Sequence, residues 1–135
     1  MAGGKSTYCE NSVLGHAMGK TSWTMPAAIY LALCTSIPTA ASTGTTIVEA
    51  SYTGYARKQI AAADLNAASA GQMTNANAIT FAACSGSTST IIAFAICDAA
   101  TVGNVIYWGS ITSKVIDVSN TPATVAAGAL VLTES

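Results

Sequence analysis

Charge is what this sequence most lacks. Only 5 Lys plus Arg and 6 Asp plus Glu occur in 135 residues, so 8% of the chain is charged, against roughly 25% in an ordinary soluble domain. With a formal net charge of −1 and no Lys or Arg cluster, the electrostatic footprint of non-specific nucleic-acid binding is missing, and no nucleic-acid partner is expected. Titratable side chains are what acid–base enzymes work with, so their scarcity argues against a conventional enzyme. The single histidine, His16, and the four cysteines, Cys9, Cys34, Cys84 and Cys97, show no CxxC spacing. No structural zinc, other metal or cofactor is therefore expected. Long apolar runs are missing too. Although 51% of residues are hydrophobic and the mean hydropathy is +0.47, the longest apolar stretches, 25–34 and 91–97, fall well short of the ~20 residues a membrane-spanning helix needs. No basic segment followed by an apolar core opens the chain, so no export signal is expected either.

Small residues take the place of charge: 27 Ala, 18 Thr, 14 Ser and 11 Gly make up more than half of the chain. An uncharged surface is poorly protected against self-association, which points to a protein that works inside an assembly, its ends held by neighbouring subunits. The length suits one domain over residues 1–135, with an N-terminal arm and helix at 1–19 and a β-domain at 26–135.

The pattern predicts one helix, at residues 7–18. Thr7 and Glu10 stand as a capping-box pair, Val13, Leu14, Ala17 and Met18 share a face, and Gly19 supplies the stop. From residue 29 the period changes to two. Ile29, Leu31 and Leu33 alternate with Tyr30, Ala32 and Cys34, as in a strand with one face buried. Residues 35–46, rich in Ser, Thr, Pro and Gly, read as a surface loop. Short strands are expected at 45–49, at 55–60 with Tyr55, Arg57 and Gln59 on one face, and at 79–81, while 61–70 reads as irregular despite its alanines. Residues 90–98 form the most apolar segment, suited to a central strand covered on both faces. A turn at 98–104 holding Gly103 then leads into a hairpin partner at 105–112. Strands at 114–118 and 129–133, the last preceded by a bend at Gly128, complete the set. The expected fold is mainly β, a single β-sandwich or barrel of about eight short strands with one N-terminal α-helix.

Candidate chemical sites are few. His16 falls near the helix C-terminus, where a cation suits the helix dipole, and a structural role is favoured. Asp98 and Asp117 could pair as carboxylates, but Asp98 opens a turn, where its side chain can bond nearby backbone N–H groups. Gly3-Gly4-Lys5-Ser6 resembles the end of a phosphate loop without the preceding strand or the upstream glycine. No nucleophile has an activating motif. Cys34 and Cys97 read as small buried hydrophobes, in preference to a disulfide within the chain. Cys9 is the best candidate for a disulfide between subunits. Tyr107 and Trp108, consecutive on a strand, should point to opposite faces, one core and the other exposed or at an interface. For these and for Tyr52, core or protein interface is favoured over ligand stacking. The candidate interface residues are Lys5, Tyr8, Cys9, Glu10, Tyr52 and Trp108. Partner contacts are expected from residues 1–18 and from the loop 35–46, and removal of residues 1–6 should weaken attachment while leaving the β-domain folded.

Three groups of residues carry a resemblance. The first comprises Tyr8-Cys9-Glu10-Asn11, Leu14-Gly15-His16, Pro26 with Ile29-Tyr30-Leu31-Ala32-Leu33-Cys34-Thr35, and Gly54-Tyr55-Ala56-Arg57. The second is Ile96-Cys97-Asp98-Ala99-Ala100 with Gly103-Asn104, Tyr107-Trp108-Gly109 and Ile111-Thr112, and the third is Ala127-Gly128-Ala129-Leu130. In order and spacing they resemble a group of small tailed-bacteriophage virion proteins, often labelled tail fibre proteins, to which small capsid decoration and cement proteins are similar. The matching segments cover about half of the chain; residues 61–89 carry no recognisable motif, and the resemblance does not rest on the cysteines within the fragments.

The resemblance implies a non-enzymatic component of the virion. The leading expectation is a capsid decoration or cement protein that binds the outer capsid surface and stabilises the shell by mass action, since one small domain without a stalk is ill suited to spanning distance. Its partners would be the major capsid protein and other copies of itself. The alternative is a tail or baseplate-associated fibre component, receptor- or glycan-facing. A carbohydrate-binding module using Trp108, Tyr107 or Tyr52 is a third expectation.

Overall fold

The computed structural model describes residues 3–134. Its elements in chain order are β1 (Gly3–Lys5), α1 (Thr7–Ala17), β2 (Ile29–Cys34), β3 (Lys58–Ile60), a 3-10 turn (Ala62–Asp64), β4 (Gln72–Thr74), β5 (Ile79–Thr80), β6 (Ser89–Cys97), β7 (Val105–Ile116), β8 (Thr124–Val125) and β9 (Val131–Thr133). β1, β7, β6, β2 and β3 form one antiparallel sheet in that order, while β4 pairs with β9 and β5 with β8. The molecule is mainly β and sandwich-like. It is not a barrel, because β1 and β3 remain as the edges of the large sheet.

The two faces of the sheet are packed differently. On one, Leu31, Leu33, Ile91, Phe94, Ile96 and Ile116 meet Tyr52, Ile79, Phe81 and Leu130 from the segments around the small ladders. On the other, Ala32, Cys34, Ala93, Ala95, Cys97 and Val105 form a layer of small side chains against which Ile47 and Trp108 pack. Small residues here let the segment after β2 lie close to the sheet, because no bulky side chain holds it off. β2 is therefore buried on both faces from Leu31 to Cys34, which corrects the expectation of one buried face. β6 is the central strand, as its composition predicts. β7 runs unbroken for 12 residues, merging the two separate strands expected at 105–112 and 114–118. Register shifts between Ile91 and Ala93, and between Ile96 and Cys97, bend this long hairpin, as bulges do.

Local chemistry explains the remaining differences. Ser6, one residue earlier than expected, caps α1, its Oγ accepting from the Cys9 N–H at 3.1 Å, as a short hydroxyl side chain does at an N-cap. At the far end Gly19 adopts φ +68. Its N–H donates to His16 O at 3.1 Å and that of Lys20 to Gly15 O at 2.9 Å, the paired bonds of a glycine-terminated helix. Residues 45–49 form turns and a single bridge from Glu49 to Cys34 instead of a strand. The strand expected at 55–60 shortens to β3, and those at 79–81 and 129–133 to β5 and β9. Residues 61–70 are irregular apart from the 3-10 turn. β1, β4 and β8 carry no apolar alternation of their own and are strands only because β7, β9 and β5 pair with them.

Candidate partner-binding surface

The residues weighed as chemical sites are separated by the fold. His16 Nδ1 accepts the backbone N–H of Trp23 at 3.1 Å and so fastens the chain after α1 back onto the helix. Asp98 accepts the Asn104 N–H at 2.7 Å and its Nδ2 at 2.8 Å across the β6–β7 turn. Asp117 accepts from Ser119 and Asn120 N–H groups beyond the opposite end of β7, so the two carboxylates do not meet. Gly3, Gly4 and Lys5 are an edge strand on β7. Among the described residues no group of three His, Cys, Asp or Glu side chains could hold a metal ion, and no helix is long and apolar enough to cross a membrane.

The candidate interface residues divide into three groups. Tyr52 is 2% exposed in the main core, with its hydroxyl donating to Ala82 O at 3.3 Å; burial removes it from any surface. Cys9 is also 2% exposed, the buried residue of α1. Cys34, Cys84 and Cys97 are likewise free and buried, and burial pushes the Cys34 thiol up to about 12 and the Cys97 thiol to about 11. Lys5, Glu10 and Trp108 line one surface cavity of about 510 Å³ together with Gly3, Gly4, Ala40 and Thr133. Lys5 Nζ is engaged there by the Glu134 carboxylate, whose other oxygen accepts the Tyr107 hydroxyl at 2.7 Å. Together Lys5 and Tyr107 hold Glu134 below the usual carboxylate range. Tyr107 and Trp108 do face opposite sides of β7, but each is half-buried against a core cluster, so neither is the freely exposed partner of the pair. The Trp108 Nε1–H is buried without an acceptor among the described residues. Tyr8 is half-open, its ring edge-on to Trp23 at 6.5 Å.

The arm is also more deeply built into the fold than a detachable tail would be. Ser6 caps α1, its hydroxyl donates to Val105 O, and its N–H donates to Ile106 O at 2.9 Å. Removing residues 1–6 would delete β1 and this cap together, so the truncation cannot isolate attachment from folding. Met1 and Ala2, part of the same expected contact region, lie outside the described residues. The truly exposed side of the arm is the outer face of α1, where Leu14 is 63% and Met18 71% exposed. That reverses the usual order for a surface helix, whose apolar stripe faces the core.

Sequence reasoning missed the group that fixes the loop region. Arg57, the sole arginine of the chain, has a side chain 3% exposed and forks onto Glu49. Nε donates to Oε1 at 3.0 Å and Nη2 to Oε2 at 2.8 Å. Its other donors go to the carbonyls of Ala99, Val102 and Gly44 at 2.8–2.9 Å, so all five N–H groups of the guanidinium are used. Tyr55 completes the group, its hydroxyl donating to Glu49 Oε1 at 2.7 Å and accepting from the Leu33 N–H at 3.1 Å. One arginine thus ties the loop after β2 to the β6–β7 turn. The available signal was a lone arginine in a chain almost free of charge.

Over residues 4–133 the sequence matches the family model described as podophage GP4 fiber I protein gp80. Comparison with curated proteins finds no match. With nearly the whole chain inside that match, the protein is a structural component of the phage virion and belongs to the podophage GP4 fiber I protein gp80 family.

Proposed function

We propose that this chain is a structural subunit of a podophage tail fibre that acts by binding other polypeptides and does no chemistry of its own. The family match over residues 4–133 carries the reading, and it supports the fibre alternative over the capsid decoration role that small size first suggested. Size still limits what kind of fibre part this is. The longest element, β7, has 12 residues, which at ~3.4 Å per residue span roughly 40 Å. Among the described residues there is no long helix for a coiled coil, so this domain suits a joint, base or tip better than a shaft. Its partners are copies of itself and the neighbouring tail proteins.

Copy number tests the reading. Quantitative mass spectrometry of purified particles, referenced to the portal or tail proteins, should give a small multiple of the tail symmetry, with matching density at the tail by electron cryomicroscopy. Hundreds of copies spread over the shell would replace the fibre role with decoration.

A further inference from the structure

The large sheet has an open flank. β1 pairs with β7 only at Tyr107–Gly109, and from Ile111 to Val115 no strand lies on the outer side of β7 among the described residues. All five of those residues are exposed. The backbone N–H and C=O groups along such an edge are a template for another strand. The opposite edge, β3, is three residues long and exposes Lys58 and Gln59, a short polar finish of the kind that discourages further pairing. The β7 edge instead carries Ile111 and Val115, 38% and 40% exposed. The register shift between Ile91 and Ala93 sets Ile111, Thr112 and Ser113 against Ile92 alone, so the ladder on the inner side is interrupted there as well.

Beside that edge an apolar furrow opens into the main core. Two cavities, of about 170 and 70 Å³, share Leu33, Ile111 and Val125 as walls. Buried Leu31 and Phe94 floor the larger one, and Ile111 and Val131, each a little over a third exposed, form its rim. Lys114 is the sole charged side chain lining either cavity, and it has no ion-pair partner among the described residues. We propose that this flank binds an extended acidic segment of a different polypeptide. The segment adds to the sheet as a strand beside residues 111–115, sends alternate apolar side chains into the furrow and sets a carboxylate against Lys114. Five residues at ~3.4 Å each give a paired stretch of roughly 17 Å. Charge selects the partner. A second copy would bring its own Lys114 to the same short stretch, where like charges on neighbouring strands repel, whereas an acidic segment supplies the missing counter-charge. The edge is covered in this way wherever on the virion the chain sits, so copy number plays no part.

Amide hydrogen exchange read by mass spectrometry, on the purified chain and on purified particles, tests it. Peptides covering 111–115 should exchange at least about tenfold more slowly in particles than in the purified chain, while β6 is protected equally in both. A zero-length carbodiimide applied to particles should join Lys114 to an Asp or Glu of a different protein. Co-expressed with the native chain, Lys114→Glu should enter particles about tenfold less often, and Lys114→Arg as often as the native chain, with circular dichroism confirming that each variant is folded. Equal exchange at 111–115 in chain and particle overturns the proposal, and so does entry of Lys114→Glu at the native rate. A join from Lys114 to an Asp or Glu of this same protein also overturns it and gives the edge to a second copy.

Discussion

Arg57 and Glu49 meet as a two-pronged pair, Nε to Oε1 at 3.0 Å and Nη2 to Oε2 at 2.8 Å, with the arginine almost wholly enclosed. Breaking a buried pair by removing one member costs about 3–5 kcal/mol, because the other charge is left behind. Arg57→Ala should lower unfolding free energy by that order in urea titration. Arg57→Lys should recover less than half of the loss, since an ammonium offers three donors where five acceptor atoms wait. A lysine variant as stable as the native chain would show that charge alone, without the fork, holds these loops.

Gly44 sits against the β6–β7 turn so tightly that a Cβ added there would lie 1.7 Å from Val102 O. No side chain fits without moving backbone that Arg57 also holds. Gly44→Ala should therefore cost at least about 2 kcal/mol. Gly4→Ala, where an added Cβ meets nothing within 4 Å, should stay within about 0.5 kcal/mol of the native chain. Equal effects at the two positions, measured by chemical denaturation, would show that the turn yields.

Asn75, 1% exposed, joins β4 to the C-terminal segment. Its Nδ2 donates to Asn77 O and Ala126 O, and its Oδ1 accepts the Leu130 N–H, each at 2.9 Å. Asn75→Ala removes the acceptor of the buried Leu130 N–H and the amide donor to Asn77 O, while Ala126 O keeps the Ala129 N–H at 3.0 Å. An orphaned buried donor costs about 1–3 kcal/mol, and a loss of that order is expected. Amide exchange at Leu130 should speed up more than exchange in β6, and uniform acceleration across both would mean that Asn75 acts globally and not as a local staple.

The buried thiols make stability depend on alkaline pH. In the unfolded chain a thiol ionises near ~8.5, whereas burial holds Cys34 to about 12 and Cys97 to about 11. Above the ordinary thiol range the unfolded state sheds protons that the folded state keeps, so stability falls as pH climbs toward those values. Tyr55, raised by burial and then by Glu49, acts in the same direction. The urea midpoint should be lower at pH 10 than at pH 7. Native protein at pH 8 should resist a thiol reagent and react at all four cysteines in urea, and non-reducing electrophoresis should show monomer. Prompt native labelling of Cys34, or a disulfide-linked dimer through Cys9, would contradict the burial described above.

Local pattern in the chain determined a good deal. Alternation at 29–34, the apolar run in β6, the turn at Gly103 and the stop at Gly19 each follow from one element's own chemistry, and together they make the molecule mainly β with a single helix. Scarce charge and the absence of a catalytic motif pointed to a structural protein before any fold was drawn, and the ordered fragments around Tyr55, Trp108 and Leu130 pointed to the phage virion.

Tertiary structure alone decided the rest. β1, β4 and β8 have no pattern of their own and exist because a partner strand supplies their hydrogen bonds. Tyr52 and Cys9 look like surface candidates along the chain and are buried by segments far away in sequence. The apolar face of α1 turns outward because Ser6 and Cys9 fix the helix to the sheet edge in that rotation, something no periodicity within the helix encodes. Arg57 is the plainest instance: its five acceptors come from residues 44, 49, 99 and 102, and only the folded backbone brings a lone arginine's donors within reach of all of them.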